Sequence, residues 1–279
     1  MEKELVSKIK KRKEYLKSLG ISYNESPKFS VIITSFNQKQ NIRRMINSLR
    51  DSNLIDEIVV CEDGSIDGSL EEWCTLLDRP NEFVINSNDL HEIRSTARAI
   101  KMTNSELVCI IQDDDIIHHN SWINEATQLF NDDNKLGILG GLGAYTNYLT
   151  DLIKKKRRKG PKWPNAFSYV ENGNIGPFFI RKKYFEEIDG WDFNLSAPGE
   201  MGLGFDHEIC YRMWRFGYHV GHYLPYGFDN NEQQGGTYSI NGVDARNKKV
   251  QFVDSYLREK YKIDEVETFK QKIKELNLK

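Results

Sequence analysis

Leu107-Val108-Cys109-Ile110-Ile111-Gln112-Asp113-Asp114-Asp115 decides how the rest of this chain is read. Five apolar residues in a row are the length of a strand buried on both faces. Three aspartates follow almost at once. At an effective dielectric of roughly 20, neighbouring carboxylates repel one another by a few kcal/mol, so a cation or solvent has to relieve them. The arrangement occurs twice more. Val59-Val60-Cys61 runs into Glu62-Asp63-Gly64-Ser65, and Gly202-Leu203-Gly204-Phe205 runs into Asp206-His207-Glu208. Open α/β sheets bind ligands in the crevice above the carboxyl ends of their strands. Three acidic clusters so placed imply one site that holds a cation and keeps a carboxylate for proton transfer. That combination suits metal-assisted chemistry on a phosphorylated substrate.

Outward from this stretch, short buried strands alternate with amphipathic helices. Ser30-Val31-Ile32-Ile33-Thr34 is a strand, and behind it Ile42, Met45, Ile46 and Leu49 share one helix face. Glu57–Cys61 is a second strand. Ser69-Leu70-Glu71-Glu72 reads as a capping box, with Leu70, Trp73, Cys74 and Leu77 as the stripe of its helix. Glu82–Ile85 is a third strand, a helix runs from about Leu90 to Met102, and Leu107–Ile111 is the fourth strand. This alternation predicts a parallel sheet covered on both faces. Beyond it the period weakens. Gly137–Gly141 and Gly176–Ile180 read as shorter strands, and a helix from about His207 to Phe216 ends at Gly217.

The bulk numbers are those of an ordinary globular protein: 279 residues, 39% hydrophobic, 29% charged, net charge −2. That charge gives no pull toward nucleic acid, and none is expected as a partner. No run approaches the roughly 20 apolar residues needed to cross a bilayer, and Met1-Glu2-Lys3-Glu4 does not begin a secretion leader. The expected location is cytoplasmic, either free or peripheral at the cytoplasmic membrane face. Cys61, Cys74, Cys109 and Cys210 stand singly, without zinc spacing, and read as buried free thiols. The division along the chain is a helical extension over residues 1–27, a main α/β domain over 28–245 in two halves, 28–118 and 119–245, and a helical tail over 246–279.

The segment from Phe29 to about Gly221 resembles glycosyltransferase family 2, the inverting sugar-transferases with the GT-A fold. The residues that carry the resemblance are Val31–Asn37, Val59–Ser69, Ile111–Asp115, Gly190-Trp191-Asp192 and Phe205–Glu208. Each piece alone is weak; their order and spacing are specific. The resemblance implies a mainly parallel, mixed α/β sheet and transfer of a sugar from a nucleotide diphosphate sugar, UDP-linked by first choice. The acceptor is then a hydroxyl of a glycan or lipid-linked molecule, with residues 28–118 as the nucleotide-binding half and 119–245 as the acceptor half of a catalytic GT-A domain. It also implies a Mn²⁺ or Mg²⁺ cofactor, with Asp115 and Asp113 as metal ligands and Asp114 at the ribose or metal shell.

The resemblance further places Thr34, Phe36, Asn37, Asp63 and Arg94 at the nucleotide, Trp191, Asp192 and Glu208 at the acceptor, and Asp206 as general base. Residue chemistry agrees in part. Phe36 offers a face for a base, and Asp63 can accept from a base N–H. Asp206 at a helix start stays ionised and able to take a proton. Each has a structural alternative: a plain turn at Thr34–Asn37, an Asx turn at Asp63, a helix cap at Asp206, core packing for Trp191, and a surface role for Arg94. The family's usual Asp before the acidic triplet is Gln112 here, and its Glu before the base is Phe205. His219, His222 and Asp229 remain open as a further metal ligand.

Two other activities compete. A nucleotidyltransferase would need a glycine-rich phosphate loop near the first strand, which Thr34-Ser35-Phe36-Asn37 is not. A non-catalytic anion-binding protein would use the basic run Lys154–Lys159, which otherwise reads as a solvated loop. Asn230–Thr237 reads as a mobile lid or an ordinary surface loop.

Overall fold

The computed structural model describes Ser18 and residues 29–141, 144–145, 154–155, 167–223, 225–230 and 236–278. The predicted N-terminal helix lies outside these apart from Ser18. So do most of the basic run and residues 231–235 of the polar loop.

The first half follows the predicted alternation. β1 (Phe29–Ser35), α1 (Lys39–Arg50), β2 (Ile55–Glu62), α2 (Ser69–Leu76), β3 (Glu82–Asn86), α3 (His91–Met102) and β4 (Leu107–Gln112) succeed one another. β1 pairs in parallel with both β2 and β4, and β2 pairs in parallel with β3. The chain steps outward from β1 to β3 and then returns to the other side of β1. This reversal makes the gap between β1 and β4 a topological switch point, where doubly wound sheets open a ligand crevice. Register aligns the tips: Ser35 lies opposite Glu62, and Thr34 opposite Gln112.

The second half begins with β5 (Asp115–Ile117), α4 (Ser121–Asp132) and β6 (Leu136–Gly140), followed by the two-residue strands β7 (Ala144–Tyr145), β8 (Lys154–Lys155), β9 (Ser168–Tyr169) and β10 (Asn172–Gly173). Then come β11 (Phe178–Arg181), α5 (Lys182–Glu187), α6 (Phe205–Arg215), β12 (His219–His222), β13 (Phe228–Asn230), α7 (Gly236–Lys260) and α8 (Ile263–Asn277). The main sheet has eight strands in the order β3-β2-β1-β4-β11-β6-β12-β9 among the described residues. β11 is antiparallel to both its neighbours, so the sheet is mixed though mostly parallel.

Alternate strand residues feed two cores, as a sheet covered on both faces requires. Val31, Ile33, Val60, Cys109 and Ile111 pack with Ile42, Met45, Trp73 and Trp122 from α1, α2 and α4. Ile32, Val59, Val108 and Ile110 pack with Ile93, Ile100, Ile209 and Met213 from α3 and α6, and with Val253, Leu257, Val266 and Phe269 from α7 and α8.

Several expectations need correction. Ser69 does not cap its helix: Gly68 holds the N-cap position, and the Asp67 carboxylate accepts from the Ser69 backbone N–H (3.0 Å) and the Lys39 N–H (2.9 Å). That one carboxylate therefore serves the starts of two helices. Cys74 is exposed, whereas Cys61, Cys109 and Cys210 are buried. α6 begins at Phe205, one full residue pair earlier than its pattern suggests, because Gly204 (φ +71°) supplies the left-handed entry. Its end is as read: Gly217 (φ +85°) sits in a Schellman turn, with Tyr218 N–H donating to Met213 O at 2.9 Å.

The tail packs on the core. Read along one helix, Leu257, Tyr261, Val266 and Phe269 make no convincing apolar face for a membrane surface. In the structure all four are buried against α6, Tyr211 lying 4.9 Å from Tyr261 between ring centroids. The turn at Tyr261–Lys262 changes the helix direction, so a stripe that is broken along one helix is continuous across two. No helix among the described residues is long and apolar enough to cross a membrane.

Leu257 is completely buried. Leu257→Ala is expected to cost about 2–5 kcal/mol in chemical denaturation, as other core truncations do. A cost near zero would mean that α7 does not pack on the core.

Candidate active site

The crevice at the strand tips is built mainly from backbone amides and carboxylates. At the β1 and β2 tips, the buried Glu62 carboxylate accepts from Gly64 N–H (3.1 Å) and Ser65 N–H (2.7 Å), closing the turn after β2. Asn37 takes a left-handed backbone (φ +55°), its N–H donates to Ser65 Oγ (2.9 Å), and its Oδ1 accepts from Ile66 N–H (2.8 Å). Asn37 thus clasps the β1 loop to the β2 loop, a task for which its short amide and tolerance of positive φ suit it. Asp63 is anchored by its own N–H to Ser35 O (3.0 Å), and its carboxylate accepts from Leu90 N–H (2.9 Å) and His91 N–H (3.0 Å). It caps the start of α3, where the helix dipole favours an anion. His91 lies close by, its Nε2 3.2 Å from Asp89 and its Nδ1 3.9 Å from Asp63.

The β4 tip meets the β1 loop through paired contacts. Asp113 N–H donates to Thr34 O at 3.1 Å, and Asp113 Oδ2 accepts from Phe36 N–H at 2.7 Å. Thr34 and Phe36 themselves are half-buried at the crevice. Asp115 Oδ2 accepts from Gln112 N–H at 2.8 Å, and Asp115 pairs across the β5–β13 ladder with Asn230. Asp113, Asp114 and Asp115 are all buried. Burial pushes the Asp113 carboxyl up to about 8, the Phe36 amide pulling it down and the Asp114 charge adding to the rise. Burial also raises Asp114. Among the described residues, neither has a Lys or Arg partner.

Such a donor set fits a hard divalent cation, which takes oxygen ligands and often only one or two protein carboxylates beside substrate phosphates. A fully preformed three-ligand cluster is not needed, and Asp113 and Asp115 do not form one. The ligand atoms that do gather within 4.8 Å of one another belong to Asp63, Asp89 and His91.

The third cluster comes from α6. Asp206 is half-buried at the helix start, its Oδ1 accepting from His207 N–H (3.0 Å) and its Oδ2 4.0 Å from His207 Nε2. Sequence reasoning missed the residue that links this cluster to the others. Glu92, in the first turn of α3, accepts from Gln112 Nε2 at 3.3 Å. Desolvation first, then the charge of Asp206, with Asp63 and Asp114 adding, pushes its carboxyl up to about 7 against the pull of Gln112. One group thus feels the charge of a carboxylate from each of the three clusters. Its only sequence signal is Glu92's place one helical step beyond the capped start of α3.

Four residues expected at a ligand are engaged by the protein itself. Trp191 is 3% exposed, edge-on to Phe205 (4.8 Å) and Phe185 (5.1 Å), and is a core residue. Asp192 accepts from Tyr256, Lys260 and the Asn194 N–H (3.0 Å). Glu208 is fully buried and is held by Arg212 (2.6 Å), Lys260 (2.7 Å) and the Tyr261 hydroxyl (2.8 Å). These two carboxylates tie α7 to α6, so the pattern that suggested acceptor contacts serves helix docking. Arg94 donates to Ser196 O (3.2 Å) and lies over the Phe193 ring (4.9 Å). Of the open metal ligands, His219 pairs with Asp133 (2.6 Å), and Asp229 lies 3.6 Å from His118.

An α/β sheet of this order, with acidic clusters at its switch point, defines a GT-A transferase fold. Two solved structures share it. A mannosyltransferase from Pyrobaculum calidifontis, in complex with GDP-Man and Mn²⁺, is 13% identical at a TM-score of 0.56, covering 81% of this chain and 63% of its own. Residues 1–349 of TarS from S. aureus, in complex with UDP-GlcNAc, are 18% identical at a TM-score of 0.56, covering 81% of this chain and 65% of that one. The chain thus spans just under two thirds of either structure. No curated protein sequence matches it. The model of "Glycosyl transferase family 2" matches residues 30–189, more than half the chain, and the protein belongs to that family of glycosyltransferases.

Two measurements test this site. Asp113, Asp114, Asp63 and Glu92 all have carboxyls raised above the ordinary range. The folded protein therefore holds protons that the unfolded chain has released, and stability falls as pH rises from about 4 to about 8. Melting temperature in chelator is expected to drop across that window, and Mn²⁺ is expected to restore it more at about pH 8 than at about pH 5.5. A flat, cation-independent profile would contradict the burial of these groups. Lys260→Met leaves Asp192 and Glu208 buried with one cation fewer and is expected to cost up to about 3–5 kcal/mol of stability, read by urea titration.

Proposed function

We propose that this glycosyltransferase moves a sugar from a nucleoside diphosphate donor to an acceptor hydroxyl with inversion, using a divalent cation. The observation that carries the reading is the burial of Asp113, Asp114 and Asp115 at the tip of β4, beside the β1–β4 switch point of the sheet. A nucleotide has its natural place over the β1 and β2 loops, against Phe36 and Asp63. UDP is the first choice of nucleotide, because Asp63 Oδ2 accepts from the His91 amide alone and keeps a lone pair for a base N–H.

Asp113 and Asp115 would hold the cation, which when bound supplies charge neutralisation for the departing diphosphate. Asp206 stands across the crevice at the start of α6. It takes the proton of the acceptor hydroxyl as that oxygen bonds to the anomeric carbon. The bond from that carbon to the diphosphate oxygen breaks on the opposite side, and the nucleoside diphosphate leaves. Inversion follows from this in-line geometry. The acceptor is a glycan or a lipid-linked hydroxyl compound, and the described part of the second half forms its side of the crevice.

The test is release of nucleoside diphosphate from a panel of UDP-, GDP- and dTDP-sugars, with Mn²⁺, with Mg²⁺ and with chelator. One donor class is expected to turn over, and only with metal. Asp206→Asn is expected to lower turnover by about 10²–10⁴ while nucleotide binding persists in calorimetry. Turnover like the wild type in that variant would remove Asp206 as the base.

A further inference from the structure

We propose that Glu92 and Gln112 form a hydrogen-bonding pair that reads a hydroxyl group of the transferred sugar, and so set which donor sugar is accepted. The inference rests on the donor reading above and deepens it.

Four observations carry it. First, the position of Glu92 is fixed from two sides. Asp63 holds the backbone just before it through Leu90 N–H (2.9 Å) and His91 N–H (3.0 Å), and Gln112 Nε2 donates to its carboxylate at 3.3 Å. Gln112 in turn is the last residue of β4, immediately before Asp113. Second, Glu92 lies in the first turn of α3, between the Asp63 carboxylate at the β2 tip and Gln112 at the end of β4, and so lines the crevice at the strand tips.

Third, Glu92 lacks what structural glutamates in this chain have. Glu208 is enclosed by Arg212, Lys260 and Tyr261, and Glu57 accepts from Ser30, Asn104 N–H (2.7 Å) and Asn104 Nδ2 (2.5 Å). Glu92 is half-buried, has one long side-chain hydrogen bond, and pairs with no Lys or Arg among the described residues. Its remaining lone pairs are open to a hydroxyl donor that enters the crevice.

Fourth, charge decides which part of the substrate comes here. A diphosphate is repelled by this group of carboxylates and belongs with the cation at Asp113 and Asp115. The transferred sugar has to lie between that diphosphate and Asp206 for an in-line displacement. Glu92 borders that space, and sugar hydroxyls are the proton donors it meets. A site built to hydrogen-bond a hydroxyl discriminates against an analogue that leaves its polar groups unpaired.

The experiment compares calorimetric binding of UDP with UDP-GlcNAc, and of GDP with GDP-mannose, all with Mn²⁺, together with donor turnover. The proteins are the wild type, Glu92→Gln and Glu92→Ala; the glutamine keeps the volume and a contact to Gln112, so folding is preserved for at least one variant. The nucleoside diphosphate alone is expected to bind within about two-fold of the wild type. Affinity or kcat/KM for the sugar-linked donor is expected to fall on the order of 10- to 100-fold, with reduced preference among epimeric donors. Unchanged handling of the sugar-linked donor would overturn the role of Glu92 and leave the donor reading intact. Equal weakening for the diphosphate and the sugar-linked donor would also overturn it, placing Glu92 in the nucleotide site. A wild type that binds neither nucleotide pair would overturn the donor reading, and this inference with it.

Discussion

Everything at this crevice depends on holding like charges together at one edge of a sheet. Two unit charges about 4 Å apart repel by about 4 kcal/mol at an effective dielectric of 20, and here several carboxylates share one space. The fold tolerates this by aiming backbone N–H groups at them. Phe36 N–H donates to Asp113, Gln112 N–H to Asp115, Leu90 and His91 N–H to Asp63, and His207 N–H to Asp206. These donors belong to strand ends and helix starts, where amides are not used by the ladder or the helix. Burial first, with neighbouring charges adding to it, still leaves raised carboxyls at Asp113 and Glu92. The residual repulsion favours a cation in the crevice, and the same repulsion would be a defect elsewhere in the protein.

The base at α6 is positioned by a second, separate set of charges. Asp206 stands on a helix whose opposite side is held by Glu208, Arg212 and Lys260, and Lys260 continues to Asp192. Arg212 also donates to the carbonyls of Ile188 and Gly190, fixing the loop that carries Trp191. A buried ion network of this kind is weak evidence for net stability, but loss of one member leaves its partners buried and uncompensated. Its effect is to lock α6 in one register against α7. The position of Asp206 at the crevice thus depends on Lys260, at the far end of α7.

The first half of the fold was legible because its signals are local. Five-residue apolar runs and the stripe Ile42, Met45, Ile46 and Leu49 need no tertiary information, and they match β1, α1, β2 and β4 closely. The second half was read less well because its strands are short and paired with distant partners. β12 joins β6 and β9, and β5 joins β13, across intervals that no window of periodicity spans. The tail failed for a related reason. Its apolar residues form one face only after the chain turns between α7 and α8. Glu92 had no motif to mark it, since its meaning lies in the three clusters around it.

The acidic residues also show why sequence position alone overstates a site. Glu62, Asp67, Asp192 and Glu208 all fall in the motifs that carried the family resemblance, and each one is committed to the protein itself. Glu62 and Asp67 close turns and helix starts, while Asp192 and Glu208 hold α7. Asp113, Asp114, Glu92 and Asp206 differ physically from them. They lack Lys or Arg partners among the described residues. One stretch of chain thus serves two purposes at once, supporting the crevice and working in it. Hydrogen-bond saturation separates the two, and it is what moves Glu208 out of the working group and brings Glu92 in.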